Sequence, residues 1–354
     1  MKKIVAKSFT IIFLSFALLG CEKILVGTEP ALPELVFETF WQDMDKNFSF
    51  FSYRNIDWDS VYRAYRPKVN AQTTDDELAK IFDAMISKFK VGHLDIADIR
   101  NRTVANGLPN VDSRTYLGNA RAYTLSYIEN LQNTKVNVFN AGESILFYYG
   151  GVKNTDFGYI FISTMFGQSS DFEKIDEILN GLKNKKGIII DVRNNGGGNS
   201  NNGALVAGRF FKETQFVGYI KYRLAGGKRS DFTDWQRMEY PKVGKENYQG
   251  NIVLLTSRSS GSATETFVKV MRGLPNVTTV GDTTWGSIGN NPVYKTLPNR
   301  WNYRFPTAVE VDKDKKSNEG IGFAPDIFIL NTLQAQAEGR DLMLEKAIEV
   351  LKNK

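Results

Sequence analysis

Two segments of the chain constrain its fold most. Gly187 to Val192 is an apolar, β-branched run that stops at Arg193-Asn194-Asn195-Gly196-Gly197-Gly198. Ile252 to Thr256 is a second such run. It stops at Ser257 and leads to Ser260-Gly261-Ser262-Ala263-Thr264-Glu265. Neither run alternates polar with apolar residues, so each suits a strand buried on both faces. A helical pattern follows each, over about 202–211 and 263–272. Further strands are read at 159–163 and 277–280, and further helices at 171–182 and 341–352. This alternation predicts an α/β fold, a mostly parallel sheet core with covering helices. Residues 293–311 predict antiparallel strands beside it.

Upstream the pattern changes. Residues 34–47, 59–66 and 75–89 carry apolar side chains at helical spacing, and Thr74-Asp75-Asp76-Glu77 has the form of a capping box. They predict a small helical cap module over 34–100, in which the many Phe, Trp and Tyr side chains pack on one another. Short alternating runs at 136–138 and 144–149 predict a small β-rich connecting region over 101–156. The α/β core then occupies 157–354.

The first 21 residues read as a targeting segment. Lys2 and Lys3 open it, and Ile11 to Leu19 is apolar but short for a bilayer span. It ends in Leu18-Leu19-Gly20-Cys21, which resembles the lipobox of bacterial lipoproteins. That resemblance implies lipidation at Cys21, a tether over 22–33, and a place in the bacterial cell envelope, periplasmic or surface-facing. Cys21 is the only cysteine, so the rest of the chain has no thiol for a disulfide, a metal or nucleophilic attack. Lys2, Lys3 and Lys7 account for three units of the formal net charge of +6. The remainder forms no long basic run, and nucleic-acid binding is not expected. A single histidine and a single cysteine exclude a histidine-cluster zinc site, and no cofactor is expected.

A strand that ends in glycines exposes backbone N–H groups, and a serine at a strand-to-helix turn presents a hydroxyl. Together they make the elements of an acyl-transfer site. The glycine run fits neither G-x-x-x-x-G-K-[ST] nor G-x-G-x-x-G, so it is neither a phosphate loop nor a dinucleotide fingerprint. Ser262 has two readings, because Ser262-Ala263-Thr264-Glu265 is also a capping box in which the serine only satisfies helix N–H groups. Ser257, Ser259 and Ser260 compete with it as nucleophile. His93, in Lys90-Val91-Gly92-His93-Leu94, is the only histidine. If the chemistry is of the Ser–His kind, it has to be the base.

Taken in order, five segments resemble the C-terminal processing (tail-specific) peptidases, a family that includes the tricorn core protease. Gly158-Tyr159-Ile160-Phe161-Ile162 resembles the family's first core strand, and Asp191 to Gly198 its D-x-R-x-N-x-G-G turn. Ser260 to Glu265 resembles its nucleophile segment. Gly281-Asp282-Thr283-Thr284-Trp285-Gly286 and Gly320-Ile321-Gly322-Phe323-Ala324-Pro325-Asp326 resemble its later motifs. The resemblance implies a serine peptidase with Ser262 as nucleophile and the N–H groups of Gly197 and Ala263 as oxyanion donors. The lysine base of the bacterial processing branch is missing, because the matching segment reads Trp285-Gly286-Ser287. Gly92-His93 instead resembles the histidine segment of the tricorn-like branch, which makes His93 the base. Glu319 matches that branch's relay glutamate, with Ser287 as a supporting hydrogen-bonding group, and Gly92 stands where the branch has a serine. No PDZ module is discernible between 99 and 155. The expectation is a lipid-anchored peptidase acting on peptide or protein substrates through an acyl-enzyme. The rivals are a non-catalytic peptide- or lipid-binding envelope protein on the same fold, and a degenerate peptidase serving as a scaffold.

Overall fold

The computed structural model describes residues 32–108, 124–138, 142–245, 247–288 and 292–354. The expected targeting segment, Cys21 and the expected tether up to residue 31 lie outside the described residues. Three helices come first: α1 (Pro33–Asn47), α2 (Trp58–Tyr65) and α3 (Asp75–Ile86). Pro33 sits at the start of α1, where its missing N–H has no partner to lose. Thr74 and Glu77 close the anticipated capping box of α3. Strands β1 (Asp95–Ala97), β2 (Thr103–Asn106), β3 (Ile128–Val138) and β4 (Gly142–Val152) follow.

The α/β part comprises β5 (Phe157–Ile162), α4 (Ser169–Phe172), α5 (Ile175–Leu182), β6 (Gly187–Asp191) and α6 (Ser200–Ala207). It continues with β7 (Gln215–Tyr222), β8 (Gln236–Tyr240), β9 (Asn251–Thr256), α7 (Ala263–Met271) and β10 (Val277–Gly281). The chain ends through β11 (Pro292–Thr296), β12 (Asn302–Pro306), β13 (Ala308–Val311), β14 (Ile327–Phe328), α8 (Leu333–Ala337) and α9 (Leu342–Lys352).

The main sheet has the order β14-β10-β9-β6-β5-β4-β3. Its members from β14 to β5 are parallel, and β4 and β3 add an antiparallel margin. Every residue of β5 and β6 is buried, the signature of strands covered on both faces. The described strands of residues 101–156 do not form a sheet of their own: β3 and β4 extend the main sheet, and β2 joins the sheet β11-β12-β1-β2. The aromatic core of the helical module is likewise shared. Phe37, Phe40, Trp58 and Phe82 pack in one cluster with Trp301, Tyr303 and Phe305 from the later strands. The helix expected over 171–182 is divided into α4 and α5.

A buried ion cluster ties the end of β6 to the closing helix. Arg193, with no exposed surface, reaches Asp191 Oδ2 at 2.6 Å and both carboxylate oxygens of Asp341 at 2.8 Å. Asp341 also caps α9 by accepting from Leu344 N–H. Burial by itself raises the Asp341 carboxyl, but the Arg193 guanidinium, the Thr124 hydroxyl and the Leu344 N–H outweigh it and hold the pKa down to about 2. Asp341→Asn keeps the cap but leaves the guanidinium short of one counter-charge. The expected loss is about 3–5 kcal/mol in urea denaturation at neutral pH; a loss below about 0.5 kcal/mol, the size of an ordinary surface change, would contradict this account.

Candidate active site

Strands β6 and β9 run in register, with Asp191 beside Leu255, so the turns leaving their C-terminal ends emerge side by side. Asn195, fully buried, rivets the two turns together. Its Oδ1 accepts from Gly197 N–H at 3.0 Å and from Thr264 Oγ1 at 2.6 Å, and its Nδ2 donates to the Ile162 carbonyl at 3.1 Å. Its own carbonyl accepts from Gly261 N–H at 3.1 Å. Gly197 is pressed against the start of α7. At φ +105° it adopts a backbone open mainly to glycine, and a Cβ there would lie 2.8 Å from Ser262 Cβ and 2.9 Å from Ala263 N.

The glycine turn alters one expectation. The Gly197 N–H is spent on Asn195, whereas the N–H groups of Ala263 and Gly198 have no hydrogen-bond acceptor among the described residues. The four serines also separate. Ser257 Oγ donates to the Arg193 carbonyl, and Ser260 Oγ to the Val192 carbonyl at 2.8 Å; both are buried and serve to hold the turns together. Ser259 stays partly exposed, and its N–H donates to Ser257 Oγ at 3.0 Å. Ser262 is half-buried at the N-terminus of α7, with φ +56° and ψ −124°, a conformation that L residues rarely adopt.

Glu265, in the first turn of α7, is fully buried. Its Oε2 accepts from Ser262 N–H at 3.1 Å and Ser287 N–H at 2.7 Å. Its Oε1 accepts from Thr284 Oγ1 at 2.6 Å and Gly286 N–H at 2.7 Å. Burial pushes its pKa up to about 7, against these hydrogen bonds, which favour the anion.

His93 lies in the turn between α3 and β1, and it too has a left-handed backbone, φ +53°. Beside it, Gly92 N–H donates to Glu319 Oε1 at 2.5 Å. A Cβ on Gly92 would fall 2.3 Å from Ser287 Oγ, so the serine side chain fills the space a residue larger than glycine would need. Ser287 Oγ is buried and has no hydrogen-bond partner among the described residues. Arg54 Nη2 donates to the Glu319 carbonyl and secures that segment. The fold thus gathers the Gly92–His93 turn, Ser287 and Glu319, and through Glu265 it joins the Ser287 backbone to that of Ser262. A cleft of about 670 Å³ lies elsewhere, lined by Asn201, Ala204 and Leu205 of α6 and by Tyr240.

Asn195 and Glu265 were not singled out from the sequence as site residues. Asn195 shows there only as a member of the turn motif and Glu265 only as the last residue of a capping box. Glu265 also has a measurable consequence. Its folded pKa lies above its ordinary 4.5, so the folded state binds this proton more tightly than the unfolded state. Its contribution to stability is fullest below about pH 4.5 and declines as pH rises through about 7, by roughly 3 kcal/mol in total. Urea denaturation of the wild type and Glu265→Gln between pH 4 and 8 should show that decline in the wild type alone. A stability difference between the two that does not vary with pH would contradict the raised pKa.

Comparison with known proteins agrees with this geometry. Residues 156–329 match the model of peptidase family S41, and residues 31–87 match that of the tricorn protease C1 domain. The chain is similar in structure to a putative peptidase from Parabacteroides merdae ATCC 43184, at 28% identity, covering 91% of this chain and 97% of that one with a TM-score of 0.76. A lipoprotein from Streptococcus agalactiae shares the fold at 16% identity, over 93% of this chain and 99% of its own, with a TM-score of 0.57. The tricorn protease shares it at 16% identity, over 90% of this chain and 36% of its own, with a TM-score of 0.53. The matched segments contain the glycine turn, the serine turn and the N-terminal helices, and the chain belongs to peptidase family S41 as a serine-type peptidase.

Proposed function

We propose that this peptidase is lipid-anchored and cleaves peptide or protein substrates through an acyl-enzyme, with Ser262 as nucleophile and His93 as base. The observation that carries the proposal is the convergence on residues 284–287. The Ser262 N–H and the Ser287 N–H share one carboxylate, while the Ser287 side chain rests on the residue preceding His93.

In the reaction, Ser262 Oγ attacks the scissile carbonyl carbon as His93 takes its proton. The carbonyl oxygen becomes an oxyanion at the N-terminus of α7, where Ala263 N–H donates to it and the helix dipole favours negative charge. The second donor comes from the glycine turn. Gly198 suits it better than Gly197, whose N–H already serves Asn195. His93 returns the proton to the leaving amine, which departs with the new N-terminus. Water then attacks the acyl-enzyme, losing a proton to His93; as the acyl–Oγ bond breaks, His93 returns that proton to Ser262 Oγ and the peptide acid leaves. Glu319 holds the histidine turn by its bond to Gly92 N–H. Ser287 Oγ supplies a hydroxyl in the space beside Gly92, so the turn has a serine side chain next to it although position 92 has none.

Ser262→Ala is expected to abolish both peptide cleavage and covalent labelling by a serine-reactive probe. His93→Ala is expected to lower turnover by at least about 10³. Activity unchanged in either variant would refute the assignment.

The anchor rests on Leu18-Leu19-Gly20-Cys21. Cys21→Ala in the full chain, expressed in a bacterial host, should lose metabolic fatty-acid labelling and leave the detergent phase. Equal labelling of the variant would remove the lipid anchor from the proposal while leaving its chemistry standing.

A further inference from the structure

We infer that Glu265 is a positioning residue for the reaction, a buried carboxylate that fixes the nucleophile's backbone to the loop on which the histidine turn rests. The inference depends on the serine–histidine chemistry proposed above and adds a residue to it.

All four donors that Glu265 accepts from are neutral, and all belong to the site: Ser262 N–H, Thr284 Oγ1, Gly286 N–H and Ser287 N–H. Helix capping accounts only for the first. The other three come from a loop that lies 19 to 22 residues further along the chain. That loop is locked in turn to the segment carrying Glu319. Thr284 Oγ1 accepts from Phe323 N–H at 2.8 Å while it donates to Glu265, and the Gly286 carbonyl accepts from Gly320 N–H at 2.6 Å. The carboxylate is therefore the shared point of three pieces of backbone: the start of α7, the loop 284–287, and through that loop the segment at 319–323.

The Ser287 side chain abuts Gly92, so a shift of the loop moves the histidine turn relative to the serine. A displacement of about 1 Å at a reacting centre costs on the order of 10² in rate. Glutamine has nearly the same shape as Glu265, but its NH₂ group must replace one acceptor oxygen. It then faces N–H donors it cannot accept from, and the loop must yield.

The test uses the full-length chain at pH 8, with peptide cleavage and fluorophosphonate labelling measured for the wild type, Glu265→Gln, Thr284→Val and Thr284→Ser. Glu265→Gln should lower kcat about 100-fold and slow labelling in proportion, with KM within about threefold and the circular dichroism of the wild type. Thr284→Val, which removes one donor, should lower kcat about 10-fold, and Thr284→Ser should restore it. Wild-type kcat in Glu265→Gln, or a change confined to KM, would overturn the inference. If Glu265→Gln fails to fold, the threonine pair decides, and equal kcat in Thr284→Val and Thr284→Ser overturns it. A wild type that neither cleaves nor labels would instead sink the underlying chemistry, which keeps the two failures distinct.

Discussion

Asn195 is the contact on which the site's geometry depends. Strand register alone brings the ends of β6 and β9 to neighbouring positions, but two flexible turns would not stay there in one arrangement. A single buried amide uses both oxygen lone pairs and one N–H to bind the glycine turn, the first turn of α7 and the end of β5. A buried amide left partly unsatisfied costs far more than its net contribution when paired, so the arrangement is held by the penalty for breaking it. Ser257 and Ser260 add two hydroxyl bonds between the same turns. With the turns held this firmly, Gly197 can approach Ser262 at a distance no side chain would allow.

That rigidity offsets strain. Ser262 and His93 are both non-glycine residues with positive φ, each expected to cost about 1–3 kcal/mol. Such conformations persist where surrounding bonds leave no alternative. At Ser262 the bonds come from Glu265, with Asn195 holding the neighbouring backbone; at the histidine turn the bond comes from Glu319, and the Ser287 side chain adds a packing contact. The acidic groups divide the labour by environment. Asp341 faces a guanidinium and stays ionised far below neutrality, while Glu265 faces only neutral donors and titrates near it.

Much of the fold was legible in the sequence because burial on both faces leaves a plain mark. Gly187 to Asp191 and Ile252 to Thr256 have no polar alternation, and their turns end in residues with a clear backbone reason. Thr74 and Glu77 marked the start of α3 for an equally local reason. Strands β7 and β8 were not legible, since their half-exposed, mixed residues carry no clear period. The joining of β2 to a sheet apart from that of β3 and β4 was hidden for another reason: β2 enters its sheet through β1, whose partner β12 lies about two hundred positions along the chain and leaves no local trace. The same holds for the site. Four serines within one short stretch looked alike on composition and spacing; the family resemblance pointed to Ser262, and burial and backbone conformation separated the four physically. Glu265 seemed a helix cap until the fold carried a distant loop to it.

Gly92 and Ser287 fill one small volume between them, although they lie on remote parts of the chain. A hydroxyl can enter that volume from either strand of backbone, but there is no room for one from each. The two positions are thus coupled sterically. A side chain added at position 92 alone crowds the space, and the loss of the one at 287 alone leaves it hollow, so moving the hydroxyl from one backbone to the other takes both changes together.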